Sequence, residues 1–411
     1  MSVIAPDQLV GARSPIYVTL ADAADTIQSL VDATLEIYVW AGSRSSRPST
    51  ADYTLFRDVF SSNLNVSFDI APMVREEIGA VYDTNQTRTS PTGEKNNNIV
   101  WVQVDYSWNY RTVASPSVIT NETGSTDIFS ASNGYHIFSE GTNFEFPSTF
   151  LNNTSTVYVQ DDGYEMMPLF MGKYNAETID EVVYRVGGTD IYTFNLTSYH
   201  ADVQPEDRIL RIPIGELSLN NWLTSDGYTG SASNRPVNQT EWEMKLLDDI
   251  GDPVETIKMI KECEPKYTIN TIQYINRYGT WDFIHFYKAS QDNFSVTSER
   301  FRKSIGTSSS SGFTYDTTDN IYQQFNTNGK VTTTLNTGWV TEDYREAIKD
   351  LMMSEKILLN ALPVNVVTNS VTLQKSINDR TINYTIEVEE AYDTRYAVSY
   401  THLTLPTKRI V

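Results

Sequence analysis

One cysteine, Cys263, occurs in 411 residues, so no disulfide can close within the chain and no cysteine-based zinc site can be built. A lone thiol of this kind is expected to be a small buried hydrophobe. Histidine is almost as scarce. His136, His200, His285 and His402 stand far apart, none at metal-ligand spacing from another, so no metal is expected. No run approaches the ~18 apolar residues of a membrane-spanning helix. The first twenty residues lack the basic start and continuous apolar stretch of a signal peptide. The expectation is a soluble chain made in a cytoplasm, without membrane insertion and without glycans on its Asn-x-Ser/Thr triplets. Positive charge is short as well. Lys and Arg total 31 against 52 Asp and Glu, a formal net charge of −21, and the densest basic cluster, Arg300 to Lys303, is brief. Phosphate backbones repel such a chain, so direct nucleic-acid binding is not expected.

The chemical signatures are missing too. There is no P-loop, no dinucleotide glycine fingerprint, no Gly-x-Ser-x-Gly elbow and no His-Glu-x-x-His. No cofactor is therefore expected. The acidic pairs Asp161-Asp162, Asp180-Glu181 and Asp248-Asp249 with Asp252 lack the alternating oxygens, glycine and distal glutamate of a calcium loop, and are expected to be solvated turns. A glycosidase pair could assemble from distant strands, but 52 acidic residues give no basis for choosing two.

What is present favours β-structure. Hydrophobic residues make up 40% and aromatics 12%, with 25 Tyr and 16 Phe, enough for real cores. The length predicts two to four domains. Ser14 to Leu20, Ala33 to Trp40, Tyr53 to Phe56, Asn65 to Ile70 and Ile99 to Tyr106 alternate as short strands. Pro72 fits the start of a short helix over 73–80, with Arg75, Glu76 and Glu77 outward. The pattern predicts a β-sandwich of immunoglobulin or fibronectin type over 12–111, after an N-terminal arm, 1–11. A second all-β domain is predicted over 112–261. Its strands are expected near 134–138, 156–159, 182–186, 190–194, 208–214 and 241–247, with Gly187-Gly188 turning a hairpin and 220–238 a polar loop.

The densest stretch is Tyr267 to Lys288, which predicts an aromatic hairpin turning at Arg277-Tyr278-Gly279 and serving as a packing nucleus. Ile269, Thr271, Gln273 and Ile275 share one face of its first strand, opposite Ile272 and Tyr274. Trp281, Phe283, His285 and Tyr287 alternate with Asp282, Ile284, Phe286 and Lys288. Beyond it, the Ser/Gly run 306–312 predicts a flexible loop. Residues 342–359 form one amphipathic helix with Tyr344, Ala347, Ile348, Leu351, Met352 and Leu358 near one face and Thr341 as its cap. Strands are predicted over 363–368, 371–377 and 381–389, the last with Ile382, Tyr384, Ile386 and Val388 inward. Residues 262–397 thus form a C-terminal α+β module on a mainly β chain. Trp108, Tyr110 and Trp222 are candidate ligand or subunit contacts, since aromatics on β-loops can stack on sugars, although such residues more often belong to a core or a subunit contact.

The motifs Tyr274-Ile-Asn-Arg-Tyr-Gly-Thr-Trp-Asp-Phe283, Leu335-Asn-Thr-Gly-Trp-Val-Thr-Glu342, Leu351-Met-Met-Ser-Glu-Lys-Ile-Leu358 and Ile377-Asn-Asp-Arg-Thr-Ile-Asn-Tyr-Thr-Ile-Glu-Val-Glu-Glu-Ala391 resemble virion structural proteins of tailed bacteriophages, particularly marine and Bacteroidetes-infecting ones. Ser14 to Val18 with Ile37 to Trp40 looks like the sandwich that opens such proteins. The resemblance covers residues 12–110 and 262–393 and brings no catalytic residues with it. It implies a non-catalytic virion component of tail or baseplate whose partners are other virion proteins and copies of itself. Two rivals stand beside it. A receptor- or glycan-binding tail adhesin would contact a host surface glycan, and a tail-associated polysaccharide-degrading enzyme would show two convergent carboxyls with raised pKa in a cleft. Residues 398–411 resemble a translated sequencing adapter and are expected not to be native.

Overall fold

The computed structural model describes residues 2–22, 27–59, 64–84, 87–94, 97–173, 176–201, 208–262, 266–372 and 381–394. Cys263, the turn at 378–379 and the adapter-like tail 398–411 lie outside the described residues. The chain is mainly β, with three α-helices among the described residues: Ala71–Glu77, Glu216–Ser225 and Tyr344–Met353.

The first core lies between two sheets. One runs Ser2–Ile4, Tyr17–Ala21, Asn65–Asp69; the other runs Leu9–Gly11, Phe129–Ser132, Ile99–Thr112, Ile27–Trp40, Tyr53–Asp58. Alternation puts Leu35, Ile37, Val39, Val100, Val102 and Val104 inward against Val18, Leu20, Val66 and Phe68, as the pattern predicts. Two segments join this sandwich that its sequence outline left out. The expected arm carries the strands Ser2–Ile4 and Leu9–Gly11, and beyond Thr112 the strand Ser115–Ser125 pairs back on Ile99–Thr112. The short helix begins at Ala71 with Pro72 in its first turn, buries Val74 and leaves Arg75, Glu76 and Glu77 outward.

In the middle of the chain, a five-stranded sheet has the order Thr156–Gln160, Pro253–Glu262, Glu241–Asp248, Ile179–Val186, Thr189–Asn195. Its first pair is parallel. A small sheet of Met166–Phe170, Ile209–Pro213 and Thr92–Gly93 completes the layer pair. Gly187 and Gly188 turn the predicted hairpin with φ of 57° and 79°, the left-handed pair a two-residue loop requires. Two expectations are corrected here. No strand forms at 134–138, where Phe138–Glu140 makes a 3-10 turn. Nor is 220–238 a loop. Glu216–Ser225 is a helix because Leu219, Trp222 and Leu223, at i, i+3 and i+4, bury together.

The third core sits inside a seven-stranded sheet ordered Trp281–Phe286, Asn270–Ile275, Ile357–Leu359, Leu362–Val366, Thr381–Glu390, Tyr322–Thr341, Gln291–Arg302. Its two edge strands are consecutive in the chain, joined only by residues 287–290. Laid flat, the edges would stand ~29 Å apart at ~4.8 Å per spacing, whereas that link spans at most ~17 Å. The sheet must therefore curl, and the Lys288 N–H reaches the Asn336 carbonyl across the closure (3.3 Å). Ile272, Tyr274, Ile284, Phe286, Ile382, Tyr384, Ile386 and Val388 fill the interior with Tyr344, Ala347, Ile348 and Leu351 of the helix. That helix stops at Met353, short of the predicted Leu359, because residues 357–359 are taken into the sheet. Thr341 does not cap it. Its N–H instead goes to the Tyr158 hydroxyl (3.2 Å), while Asp343 accepts from the Ser155 N–H and hydroxyl (2.8 Å each). The Ser/Gly run is no simple loop either: Gly306–Ser309 and Gly312–Tyr315 pair as a small hairpin. Val371 and Thr372 are not in a strand, and the rest of that predicted strand lies outside the described residues.

The aromatic hairpin is the joint of the molecule. Its turn, 276–280, docks on residues 132–135: the Tyr135 N–H donates to the Arg277 carbonyl (2.7 Å) and the Ser132 hydroxyl to the Tyr278 carbonyl (2.6 Å). Arg277 also grips both oxygens of Glu140, at 2.6 and 2.8 Å. Gly279 has φ of 79°, and a Cβ there would stand 2.5 Å from the Gly134 nitrogen, so only glycine fits.

Candidate functional site

Register sorts the hairpin's side chains into two sets. Ile272 pairs with Ile284 and Tyr274 with Asp282, while Thr271 pairs with His285 and Gln273 with Phe283. The Ile272 face packs in the third core. The Thr271 face is turned toward residues 160–166 and Arg211, and between them lies a cleft of about 340 Å³ with Tyr82 and Trp281 at one end.

His285 ties the two walls together. Its Nδ1 meets the Thr271 hydroxyl (2.8 Å) and the Gln160 amide nitrogen (2.9 Å), and its Nε2 lies 3.0 Å from Glu165 Oε1. Because the Gln160 amide nitrogen can only donate, Nδ1 is the acceptor and the proton sits on Nε2, donated to Glu165. Glu165 Oε1 also accepts the Gln160 N–H (2.8 Å). With Glu165 on Nε2 and both Thr271 and Gln160 on Nδ1, the histidine ties the two walls of the cleft together. Among the described residues no group of three or more His, Cys, Asp and Glu is placed to hold a metal ion.

Three oxygens on cleft-lining residues are buried without a hydrogen-bond partner: Tyr82 Oη, Gln273 Oε1 and Glu165 Oε2. Glu165 Oε2 is wedged against Gly163 and Gly215, where a Cβ would collide with it. Both cations among the described residues of the cleft are paired. Arg88 holds Asp83 (2.8 Å), and Arg211 holds Glu94 (3.1 Å) and the Trp281 carbonyl (3.1 Å). Burial pushes the Asp282 carboxyl up to about 6, while the Phe283 N–H (2.8 Å) pulls the other way. The charges bearing most on it are Asp350 and Arg211, so it is not half of a pair with Glu165.

A second feature leaves the body altogether. Residues 332–341 of the strand Tyr322–Thr341 pair with Thr381–Glu390, but among the described residues 322–331 pair only with Phe294 to Arg302. This makes a two-stranded arm ~30 Å long, tipped by the hairpin 306–315. Nearly every side chain of Gln291–Arg302 is exposed, on both faces. Phe294, Val296, Phe313, Tyr315 and Tyr322 are each more than half exposed.

Of the readings open for Trp108, Tyr110 and Trp222, the structure takes the core: all three are buried. Trp108 is fully buried opposite Ala33, whose small side chain makes room for the indole, and Tyr110 is buried beside it (ring centroids 5.7 Å). Trp222 is buried in the second core, stacked on Phe194 at 3.6 Å and 14°. Their positions on a strand and a helix turn them inward, and the three do not come together. The cleft residues were not legible, because Tyr82, Glu165, Gln273 and His285 come from separate segments with no shared motif. The arm had a signal in its apolar residues interleaved with Ser and Thr, which the Ser/Gly run at its tip obscured.

No protein-family model matches the sequence, and none of the curated proteins compared with it matches either. Among solved structures, the fibronectin(III)-like modules of Clostridium thermocellum CbhA align at 8% identity over 64% of this chain and 93% of theirs, with a TM-score of 0.15. A 1.5-MDa bacterial ice-binding adhesin aligns at 8% identity over 81% and 88%, with a TM-score of 0.18. A Bacteroides ovatus mixed-linkage glucan utilization protein, SGBP-B, aligns at 9% over 91% and 71%, with a TM-score of 0.16. Likenesses this weak say nothing about what the chain binds.

Proposed function

We propose that the chain is a non-catalytic structural component of a bacteriophage virion, of the tail or baseplate, that works by contacts with copies of itself and with other virion proteins. The observation that carries this reading is the arm. Its outer part, where 297–302 face 322–324, is a two-stranded ribbon of a kind that is marginal in water, and the exposed aromatics along the arm are the surface a partner would bury. Its charge suits the role. Residues 291–334 hold four basic residues (Arg300, Arg302, Lys303, Lys330) and four acidic ones (Asp292, Glu299, Asp316, Asp319), so the arm is neutral and the rest of the chain carries the whole −21. A neutral arm can lie on the acidic body of a neighbouring copy without the like-charge repulsion that body-to-body contact would bring.

The test is sedimentation of the purified chain beside a Phe313→Ser/Tyr315→Ser/Tyr322→Ser variant, with mass spectrometry of virions that incorporate either. The expected result is concentration-dependent association that the variant loses, with an unchanged melting temperature because the three side chains are exposed. A wild-type chain that stays monomeric and is absent from virions would overturn the reading.

A further inference from the structure

The outer edge of Gln291–Arg302 carries a further inference, which rests on the reading of the arm as a contact between copies. We propose that this edge pairs antiparallel with the same edge of a second copy, about a two-fold axis, so that two arms join into one continuous sheet. Gln291–Arg302 ends the order of its sheet, and among the described residues no strand lies on its far side. A row of backbone groups left open in this way is a template for strand addition.

Hydrogen bonds fix which residues face outward. The Gly329 carbonyl accepts the Thr394 N–H (3.0 Å) and so turns away from Val296, its register partner. Opposed residues of an antiparallel pair alternate between bonding each other and bonding outward. Val296, Phe294 and Asp292 therefore present their N–H and C=O groups to the open side. At the far end the Lys303 N–H donates to the Ile321 carbonyl (3.0 Å), which by the same alternation turns Arg302 and Arg300 outward. The register shift between Thr297 and Glu299 lies opposite Asn328 and Phe325, so the extra residue belongs to the neighbouring strand and the edge runs unbroken. Charge order then selects the partner. The acid stands at one end of the row and the two arginines at the other, with Phe294 and Val296 between. Antiparallel self-pairing centred on Val296 or Thr297 sets Asp292 opposite Arg300 or Arg302, twice per pair of chains. Parallel pairing would set Asp292 against Asp292 and each arginine against its own copy. Lys303 and Lys330 hold Asp319 and Glu389 (3.6 and 3.5 Å), whereas Arg300 and Arg302 are exposed and in no ion pair among the described residues. Asp292 accepts the Thr333 hydroxyl (2.7 Å), which fixes its carboxylate. The strand also lacks the proline and the row of like charges that guard open edges.

The experiment is sedimentation of the full chain, of Asp292→Arg, of Arg300→Asp/Arg302→Asp, of these two variants mixed in equal amounts, and of the chain carrying all three changes. The wild type should dimerise as its concentration rises. Each half-swap brings like charges together twice and should weaken the dimer about 10-fold. The mixture and the full swap restore opposite pairs and should dimerise as the wild type does. Melting temperatures should change little, because all three side chains are exposed. Recovery in the mixture is a readout that neither altered net charge nor a folding fault would give. A wild type that dimerises but ignores both half-swaps, or half-swaps that the mixture does not rescue, would overturn the edge pairing and leave the assembly reading standing. A wild type that stays monomeric would overturn the edge pairing too, and the assembly reading falls with it only if virions also lack the chain.

Discussion

Asp282→Asn probes the closure of the hairpin most directly. The carboxyl ordinarily titrates at 3.8 and is pushed up to about 6, chiefly by burial. Between those values the folded chain holds a proton that the unfolded chain has already released, so stability rises as pH falls through 6 and levels off near 4. Above 6 the folded chain carries a buried carboxylate. The gap is about 2.2 units, and at ~1.36 kcal/mol per unit the charge costs about 3 kcal/mol. Asparagine is uncharged at every pH and keeps an oxygen to accept the Phe283 N–H. It forfeits the attraction to Arg211, so the expected gain is about 2–3 kcal/mol near pH 8, shrinking toward zero near pH 4. Urea unfolding of the two proteins side by side at several pH values measures it, urea being uncharged. Taking the difference at each pH cancels the other titrating groups. A variant less stable than wild type near pH 8, or a difference that does not change with pH, would contradict this account. Either result would mean that the carboxylate is solvated or paired, and the hairpin more open to water than its burial indicates.

The hairpin supports two further tests. His285→Ala strands Gln160, Thr271 and Glu165 together, and should cost about 3 kcal/mol by thermal or urea unfolding, since several buried partners lose their bonds at once. Gly279→Ala must strain a φ of 79° and also strike the backbone of Asn133 and Gly134. It should cost about 3 kcal/mol or more, against about 1 kcal/mol for Gly187→Ala, whose φ is also positive but whose Cβ would meet open space.

Where alternation is strict and one face is solvated, the sequence announces the structure. Ile382, Tyr384, Ile386 and Val388 are buried as their spacing predicts, and so are Leu35, Ile37 and Val39. The hairpin turn at Arg277-Tyr278-Gly279 also forms where predicted. Three things escaped. Helix 216–225 hid because its buried Leu219, Trp222 and Leu223 are interleaved with Asn and Ser, which read as loop. The strand 115–125 has no buried face to write a pattern, and the arm's interleaved apolar residues were obscured by the Ser/Gly run at its tip. The cleft depends on register, which sets Thr271 against His285, and on long-range packing that brings residues 160–166 opposite them. Local periodicity carries none of that. Whether Trp108, Tyr110 and Trp222 are core or contact was open for a related reason: an aromatic beside a polar stretch is placed only once its own strand or helix phase is known.

The arm's exposure also needs a cause other than looseness, and the strand Tyr322–Thr341 supplies one. Its second half is locked between neighbours, with Leu335 and Val340 buried in the third core, and its first half continues the same strand into solvent. The curl of the sheet adds to this, because the link 287–290 ties the arm's other strand directly to the aromatic hairpin. The arm is therefore anchored on both strands at the third core. An element so rooted has its base ordered before it meets a partner, so association orders only its outer part and gains from burying Phe294, Phe313, Tyr315 and Tyr322. A flexible tail with the same residues would incur that ordering cost at each encounter. A neutral, aromatic arm on a chain of charge −21 is thus a surface that another acidic chain can cover with less like-charge repulsion than a contact between two acidic bodies would meet.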